Sequence, residues 1–509
     1  MTRPDFSSLD STPFPLDHLA ELGDRSAPAL ALKDRVLTHA ELAARVGILA
    51  AWLHSRCQKG DRVASWAAKG ELTCLLPLAA ARAGMVHVPI NPLLKHGQVA
   101  HILADSGSKL LMGTSARLKS LEEGDLPGDC ETVEEDAVWI VAEELGQSLP
   151  ASDHDPQDLT AILYTSGSTG KPKGVMLSHA NLWLGAVSVA AYLGMQSDDV
   201  TLSVLPLSFD YGQNQLLSTW YAGGSVVPLD YLFARDVAKA CAKHQVTTLA
   251  AVPPLWVQLT EVDWPELAVT SMRRITNSGG ALTIELISDL QSKLTETDIF
   301  PMYGLTEAFR STYLDPSLVK EHPTSMGQAI PFAEILVVND AGDVCAAGEE
   351  GELVHCGPLV AQGYWQDAER TRQRFRPAPS ASEYGGTAVW SGDRVVRDER
   401  GLLYFVGRRD AMIKSSGNRI SPQEIESAAL ATDWVVEAVA LGLEDARLGQ
   451  AIHLVVRGDE AMGSEALKKH LARELPNFMQ PQVIHWRSQM PLNPNGKIDR
   501  TALAKEIAA

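Results

Sequence analysis

Thr38 and Glu41 stand three residues apart, just ahead of an apolar stripe of Leu42, Val46, Leu49 and Leu53. That spacing predicts a helix opened by a capping box, with one face turned to a core. Gly60-Asp61 turns the chain, and Val63 to Trp66 reads as a strand. Residues 71–84 carry a helical pattern and Met85 to Pro89 an extended one. The alternation returns downstream, with strands expected at 201–205, 225–229, 247–252, 272–277 and 298–302 and helices over 234–244 and 282–294. Alternating β and α segments of this length predict an α/β fold of parallel sheets covered by helices. Residues 334–406 change character: Gly-rich with short extended runs, they predict a small antiparallel sheet or a β-barrel-like region.

The last hundred residues read as a separate unit. Ser421-Pro422-Gln423-Glu424 has the form of a capping box with Pro at the first helical position. Two strand-like runs follow, Val435 to Gly442 and Ala451 to Val456, then a helix over 464–474 and a strand over 482–487. This predicts a small α+β domain. Gly407-Arg408-Arg409-Asp410 follows an apolar strand, so the expected division is a large domain over 1–407 and a small one over 408–509.

Composition narrows the class. The 509 residues are 45% hydrophobic and 21% charged, which excludes a disordered or fibrous chain. No run reaches the roughly 18 apolar residues of a membrane span, and Met1 to Phe6 lacks the apolar core of an export signal. The net charge is −19 and lies wholly on the large part, because Arg408 to Ala509 holds thirteen basic and thirteen acidic residues. Such a balance disfavours nucleic acid and anionic membrane as partners. Cysteines 57, 74, 130, 241, 345 and 356 are scattered without a C-x-x-C pair, which points to reduced thiols in the cytoplasm rather than to disulfides or zinc.

The candidate chemistry starts at Tyr164-Thr165-Ser166-Gly167-Ser168-Thr169-Gly170-Lys171-Pro172-Lys173-Gly174, directly after the apolar run Leu159 to Leu163. Glycines let backbone approach a ligand closely, while hydroxyls and two lysines supply donors and positive charge. This is the chemistry a polyphosphate needs. It is not a Walker A loop, because Gly167 and Gly170 are too close and Lys171 precedes Pro172.

This run resembles the phosphate-loop signature of the AMP-forming ligases, which include acyl-CoA synthetases, aryl-CoA ligases and the adenylation domains of peptide synthetases. The resemblance extends over nearly the whole chain, with the family's other motifs in order. They are Gly279-Gly280-Ala281, Tyr303-Gly304-Leu305-Thr306-Glu307, Ser391-Gly392-Asp393, Gly407-Arg408-Arg409-Asp410, Lys414 with Ser416-Gly417-Asn418-Arg419, and Pro491 to Arg500 around Lys497. Ser391 stands where the family has Thr, and Asn418 where it often has an aromatic residue or His.

The resemblance implies ATP and Mg²⁺, and a reaction that joins a carboxylate to the α-phosphate with release of pyrophosphate. It places Thr165 to Lys171 and Lys173 on the phosphates, Gly280, Ala281 and Tyr303 at adenine, and Asp393 and Arg408 at ribose. Thr306 would bond the α-phosphate, Glu307 would hold the metal and Lys497 would bridge the reacting groups. Asp410 matches the hinge of a mobile small domain, Gly417 the path of the thiol arm and Arg419 a phosphate contact. Blander readings stand beside these: a self-bonded turn for Asp393, an exposed turn for Lys497, and a surface ion pair with Arg408 or Arg409 for Asp410.

The acid is expected among residues 207–214 and 279–311, including Phe209, Asp210 and Gly279. In amino-acid-activating relatives a Phe-Asp here presents the Asp to the substrate ammonium. Asp210-x-x-Gln213 is equally a capping box, so Asp210 either meets a substrate or starts a helix. Tyr211 to Asn214 departs from the amino-acid pattern, and residues 205–215 look more like an exosortase-associated subgroup of acyl-CoA ligases. Arg310 either binds an acidic group or pairs with Glu307 or a neighbour. Twelve residues follow Lys497, so the thiol, from CoA or the phosphopantetheine of a separate acyl carrier protein, is expected from outside. A catalytically silent nucleotide- or acyl-binding protein is the competing class, disfavoured by the presence of Glu307, Asp393, Arg408 and Lys497 together.

Overall fold

The computed structural model describes the chain apart from residues 1–5, 7, 166–171, 409–412, 416, 417, 446, 447, 476 and 509. The first helix, His39–His54, opens as its sequence dictates. Thr38 Oγ1 accepts from the Glu41 N–H at 3.2 Å and the Glu41 carboxylate accepts from the Thr38 N–H at 2.8 Å. Leu42, Val46, Leu49 and Leu53 are fully buried beneath it.

Three sheets carry the described residues. The largest joins two kinds of pairing. Strands Pro28–Ala31, Ser225–Pro228, Val200–Ser203, Thr248–Ala251, Arg274–Asn277 and Asp298–Tyr303 run parallel. Asp298–Tyr303 then pairs antiparallel with Thr312–Tyr313, and the sheet continues through Ser325–Ala329, Leu403–Arg408, Thr387–Arg397, Glu350–Cys356 and Glu334–Val338. The Gly-rich segment is thus antiparallel, as expected, but hydrogen-bonded in continuity with the parallel block.

The second sheet runs Gly363–Tyr364, Lys173–Ser178, Leu159–Thr165, Val86–Pro89, Arg62–Trp66, Ser108–Gly113, Glu131–Glu134. Helices His179–Tyr192 and Asp210–Tyr221 are buried almost throughout and belong to a core shared by the two large sheets.

The third sheet is built by the C-terminal part: Val435–Asp445 and Gly449–Gly458 pair antiparallel, and Val483–Trp486 lies parallel to the latter. Its two faces carry separate apolar clusters, one around Ile425, Leu454 and Leu467, the other around Val439, Val455 and Leu503. One expected local device is absent. Helix Pro422–Leu430 has Pro422 at its start, but the Ser421 hydroxyl donates to the Val406 carbonyl at 2.8 Å instead of capping the helix. The side chain ties the small unit back to the large sheet. No helix among the described residues is long and apolar enough to cross a membrane. All six cysteines are free, and five are buried.

Candidate active site

Ligands of open α/β sheets sit at the carboxyl ends of the parallel strands, and the Gly279 and Tyr303–Glu307 motifs follow two such strands. Beyond Arg274–Asn277, the Asn277 side-chain amide donates to the Gly280 carbonyl at 2.8 Å and pins the loop of Gly279, Gly280 and Ala281. Gly279 has φ +83°, a backbone region that disfavours side chains. Beyond Asp298–Tyr303 comes the short turn Thr306–Ala308, closed by Phe309 at φ +59°. Such a conformation is strained for a bulky residue and persists only where its surroundings hold it. Gly185 supplies that support, since a Cβ there would overlap the Phe309 ring. The strained corner fixes Thr306 and Glu307 on one side and Arg310 on the other.

Glu307 is buried, and its Oε1 accepts from Lys173 Nζ at 2.8 Å and from the Tyr364 hydroxyl at 2.6 Å. Lys173 also donates to the Tyr364 oxygen at 2.7 Å. Burial pushes the Glu307 carboxyl up, but Lys173, Arg374 and the Tyr364 bond outweigh it and hold it at about 2. Both bonds fall on Oε1; Oε2 accepts none among the described residues. A carboxylate ionised at all ordinary pH, with one oxygen committed and one not, fits the hard oxygen donor that Mg²⁺ requires. Lys173 begins its strand directly opposite Thr165, so the stem of the predicted phosphate loop reaches Glu307.

Asp393 and Arg408 are cross-strand partners, with Arg408 Nε 3.3 Å from the Asp393 carboxylate, and the Tyr303 hydroxyl donates to that carboxylate as well. The simple-turn reading of Asp393 is corrected: Ser391 Oγ accepts the Asp393 N–H at 3.1 Å, so the carboxylate is turned to Tyr303 and Arg408.

The capping-box reading of Asp210 is also overturned. Phe209 occupies the cap position and Asp210 is the first helical residue. Its carboxylate accepts from the Thr306 hydroxyl at 2.9 Å and lies 3.9 Å from the Arg310 guanidinium. Burial raises the Asp210 carboxyl, and Arg310, Thr306 and Lys497 oppose the rise. Arg310 therefore pairs with Asp210, not with Glu307, and stacks 4.3 Å over the Tyr211 ring.

Lys497 reaches this same place from the C-terminal part. Its ammonium lies 4.8 Å from the centre of the Phe209 ring, and a Cβ on Gly279 would overlap its Cε. The exposed-turn reading of Lys497 is thereby excluded. Burial lowers its ammonium, Asp210 acts against that, and Arg310 adds to it.

Ser166, Gly167, Ser168, Thr169, Gly170, Lys171, Asp410 and Gly417 lie outside the described residues. Arg419 lies in strand Asn418–Ile420. The structure adds Tyr364 and Arg374, neither of which carries a local sequence signal. Tyr364 is 57 residues from Glu307, and Arg374 donates to the Ser391 carbonyl.

Residues 19–365 match the AMP-binding enzyme family and residues 424–497 match the AMP-binding enzyme C-terminal domain. The chain is 33% identical over 494 residues to an L-proline–[L-prolyl-carrier protein] ligase of Streptomyces coelicolor, covering 91% of each. It is 30% identical over 482 residues to tyrocidine synthase 3 of Brevibacillus parabrevis, but spans only 7% of that protein's length. Its fold superposes on ATP-bound MatB from Rhodopseudomonas palustris with a TM-score of 0.87 at 26% identity, over 97% of this chain and 99% of the other. The apo form of MatB gives 0.76. The o-succinylbenzoate CoA synthetase MenE of Bacillus subtilis, in complex with its acyl-adenylate, gives 0.82 at 27% identity, over 97% and 98%. On its sequence over both matched segments, and on its fold, the chain belongs to the family of AMP-binding enzymes.

Proposed function

We propose that the protein is an AMP-forming acid–thiol ligase that adenylates a small carboxylic acid with ATP and passes the acyl group to the thiol of CoA. In the first step a carboxylate oxygen bonds to the α-phosphorus and pyrophosphate leaves. In the second the thiol attacks the acyl carbonyl and AMP leaves. The observation that carries the reading is the Lys497 ammonium, delivered beside Phe209, Gly279 and Asp210 at the carboxyl ends of the parallel strands. Two anions must meet there, and a preorganised cation is what lowers that barrier.

In this reading Thr165, the loop 166–171 and Lys173 take the phosphates, and Thr306 bonds the α-phosphate. Tyr303, Gly280 and Ala281 flank adenine, and Asp393 and Arg408 hold the ribose. Mg²⁺ at Glu307 would neutralise phosphate oxygens during pyrophosphate departure. The part from 408 onward moves about Asp410 between the two steps, Gly417 admits the thiol arm and Arg419 contacts its phosphate.

Charge favours a plain acid over an amino acid. Buried Arg310 and part-buried Lys497 set two cations beside the Asp210 carboxylate. An incoming carboxylate completes neutrality, whereas an amino acid also brings an ammonium. The second reading, loading of an amino acid on a carrier protein, rests on buried Asp210 and on the likeness to the prolyl-carrier ligase. Pyrophosphate release across a panel of acids and amino acids, repeated with CoA and with a phosphopantetheinylated carrier, separates the two. A plain acid with CoA is the expected pair, and Lys497→Ala lowers release about 10²–10³-fold. Silence of the wild type across the whole panel would overturn the reading, and release with amino acids alone would favour the second.

A further inference from the structure

Asn91 lies just past strand Val86–Pro89, far in sequence from every motif above, and is 5% exposed. Its side-chain amide is used at both ends. Oδ1 accepts the Leu93 N–H at 2.9 Å, which shapes its own turn. Nδ2 donates to the Pro494 carbonyl at 2.7 Å and to Asn495 Oδ1 at 3.2 Å. Both acceptors lie on the turn that carries Lys497.

That turn is organised from within. The Asn493 N–H donates to the Lys497 carbonyl at 2.7 Å. Asn493 Oδ1 accepts from the N–H groups of Asn495 at 3.0 Å and Lys497 at 3.1 Å. Gly496 takes φ +78°, and Leu492 bridges to Ile498. A self-braced tip moves as a unit, so what grips its outer side decides where Lys497 lands. An ion pair across the same boundary, Arg457 to Glu261 at 3.5 Å, has one side chain 56% exposed and holds little.

We propose that Asn91 is a positioning residue, a polar latch that docks the 493–497 turn on the large domain and so sets the arrangement in which Lys497 enters the site. It acts through Lys497 and touches no reacting atom. The inference rests on the adenylating role given to Lys497 above. The amide is specifically suited: its donor meets two acceptors while its acceptor meets one N–H. Asn91→Asp keeps the bond from Leu93, preserving the local turn, but sets a carboxylate oxygen against two acceptor oxygens.

The test takes the acid found in the panel and measures two half-reactions on the full chain. Exchange of pyrophosphate into ATP reports adenylation, and thioester formation from supplied acyl-adenylate reports transfer. Asn91→Asp is expected to lower exchange ten- to a hundredfold while leaving transfer within twofold, and Arg457→Ala to leave both within twofold. Energy transfer between fluorophores at exposed positions 267 and 465, with ATP bound, reads the arrangement directly. Asn91→Asp is expected to lower the population seen in the wild type. Unchanged exchange, an equal fall in both half-reactions, or unchanged energy transfer would each overturn the latch. A shift in energy transfer in a chain whose wild type shows no exchange would sustain the latch and overturn the role of Lys497 instead.

Discussion

Two lysines enter the site and are held in opposite ways. Lys173 sits on a sheet strand, with Glu307 at 2.8 Å and the Tyr364 hydroxyl at 2.7 Å, so its charge is answered by the protein. Lys497 rides on the tip of a turn, against an aromatic face and a glycine, and among the described residues no carboxylate makes an ion pair with it. The first lysine is part of a finished electrostatic unit. The second is a part-buried cation with no ion pair among the described residues, which is the condition that favours binding an anion. In the proposed reaction both lysines meet anions, but only Lys173 is already held by protein partners.

Methionine at each lysine tests that contrast at its widest. Lys497→Met is expected to lower pyrophosphate exchange about 10²–10³-fold while leaving unfolding stability unchanged or slightly raised, because it removes a part-buried charge that makes no ion pair among the described residues. Lys173→Met leaves buried Glu307 without its partner and is expected to cost about 3 kcal/mol in urea unfolding. Equal stability losses in the two variants would break the comparison.

Gly279→Ala comes next. The methyl overlaps the Lys497 stem and strains a residue at φ +83°, so exchange is expected to fall ten- to a hundredfold, with transfer from supplied adenylate retained.

The pH profiles sharpen the same contrast. Lys497 is lowered by burial, so kcat/KM for adenylation is expected to fall on the alkaline side below the ordinary lysine value of about 10.4. Asp210 holds that ammonium up, so Asp210→Asn moves the alkaline limb lower still. Glu307 behaves in reverse. Its carboxyl is depressed to about 2, so its stabilisation is full above the unfolded value of about 4.3 and is lost as pH falls through about 2. Unfolding measured between those limits should show this acid limb in the wild type and not in Lys173→Met.

The smallest effect is expected at the rim. Arg457→Ala removes an exposed pair to Glu261 and should change stability by less than about 1 kcal/mol.

The sequence makes local devices readable and distant pairings unreadable. The helix expected over 234–244 is Ala234–His244, and the Thr38 capping box is formed, because both are written within a few residues. The Gly279 loop and the Tyr303–Glu307 turn meet as expected because each follows a parallel strand of the same sheet. Asp210 misleads because a helix-start pattern is local, whereas its Thr306 partner is 96 residues away. Ser421 misleads in the same way, its hydroxyl being drawn to Val406 across the boundary. Tyr364 and Asn91 leave no periodic trace, and their partners lie 191 and 403 residues distant.

The cysteines bear on what the site manufactures. Burial pushes the thiols of Cys57 and Cys130 up to about 11 and those of Cys74 and Cys241 up to about 12, and it raises Cys345 and Cys356 as well. Sulfur attacks as thiolate. An acyl-adenylate is an electrophile made in the midst of a protein, and here every native sulfhydryl stays protonated at neutral pH. Self-acylation is thereby suppressed, and the activated acyl group waits for a sulfur that comes from elsewhere.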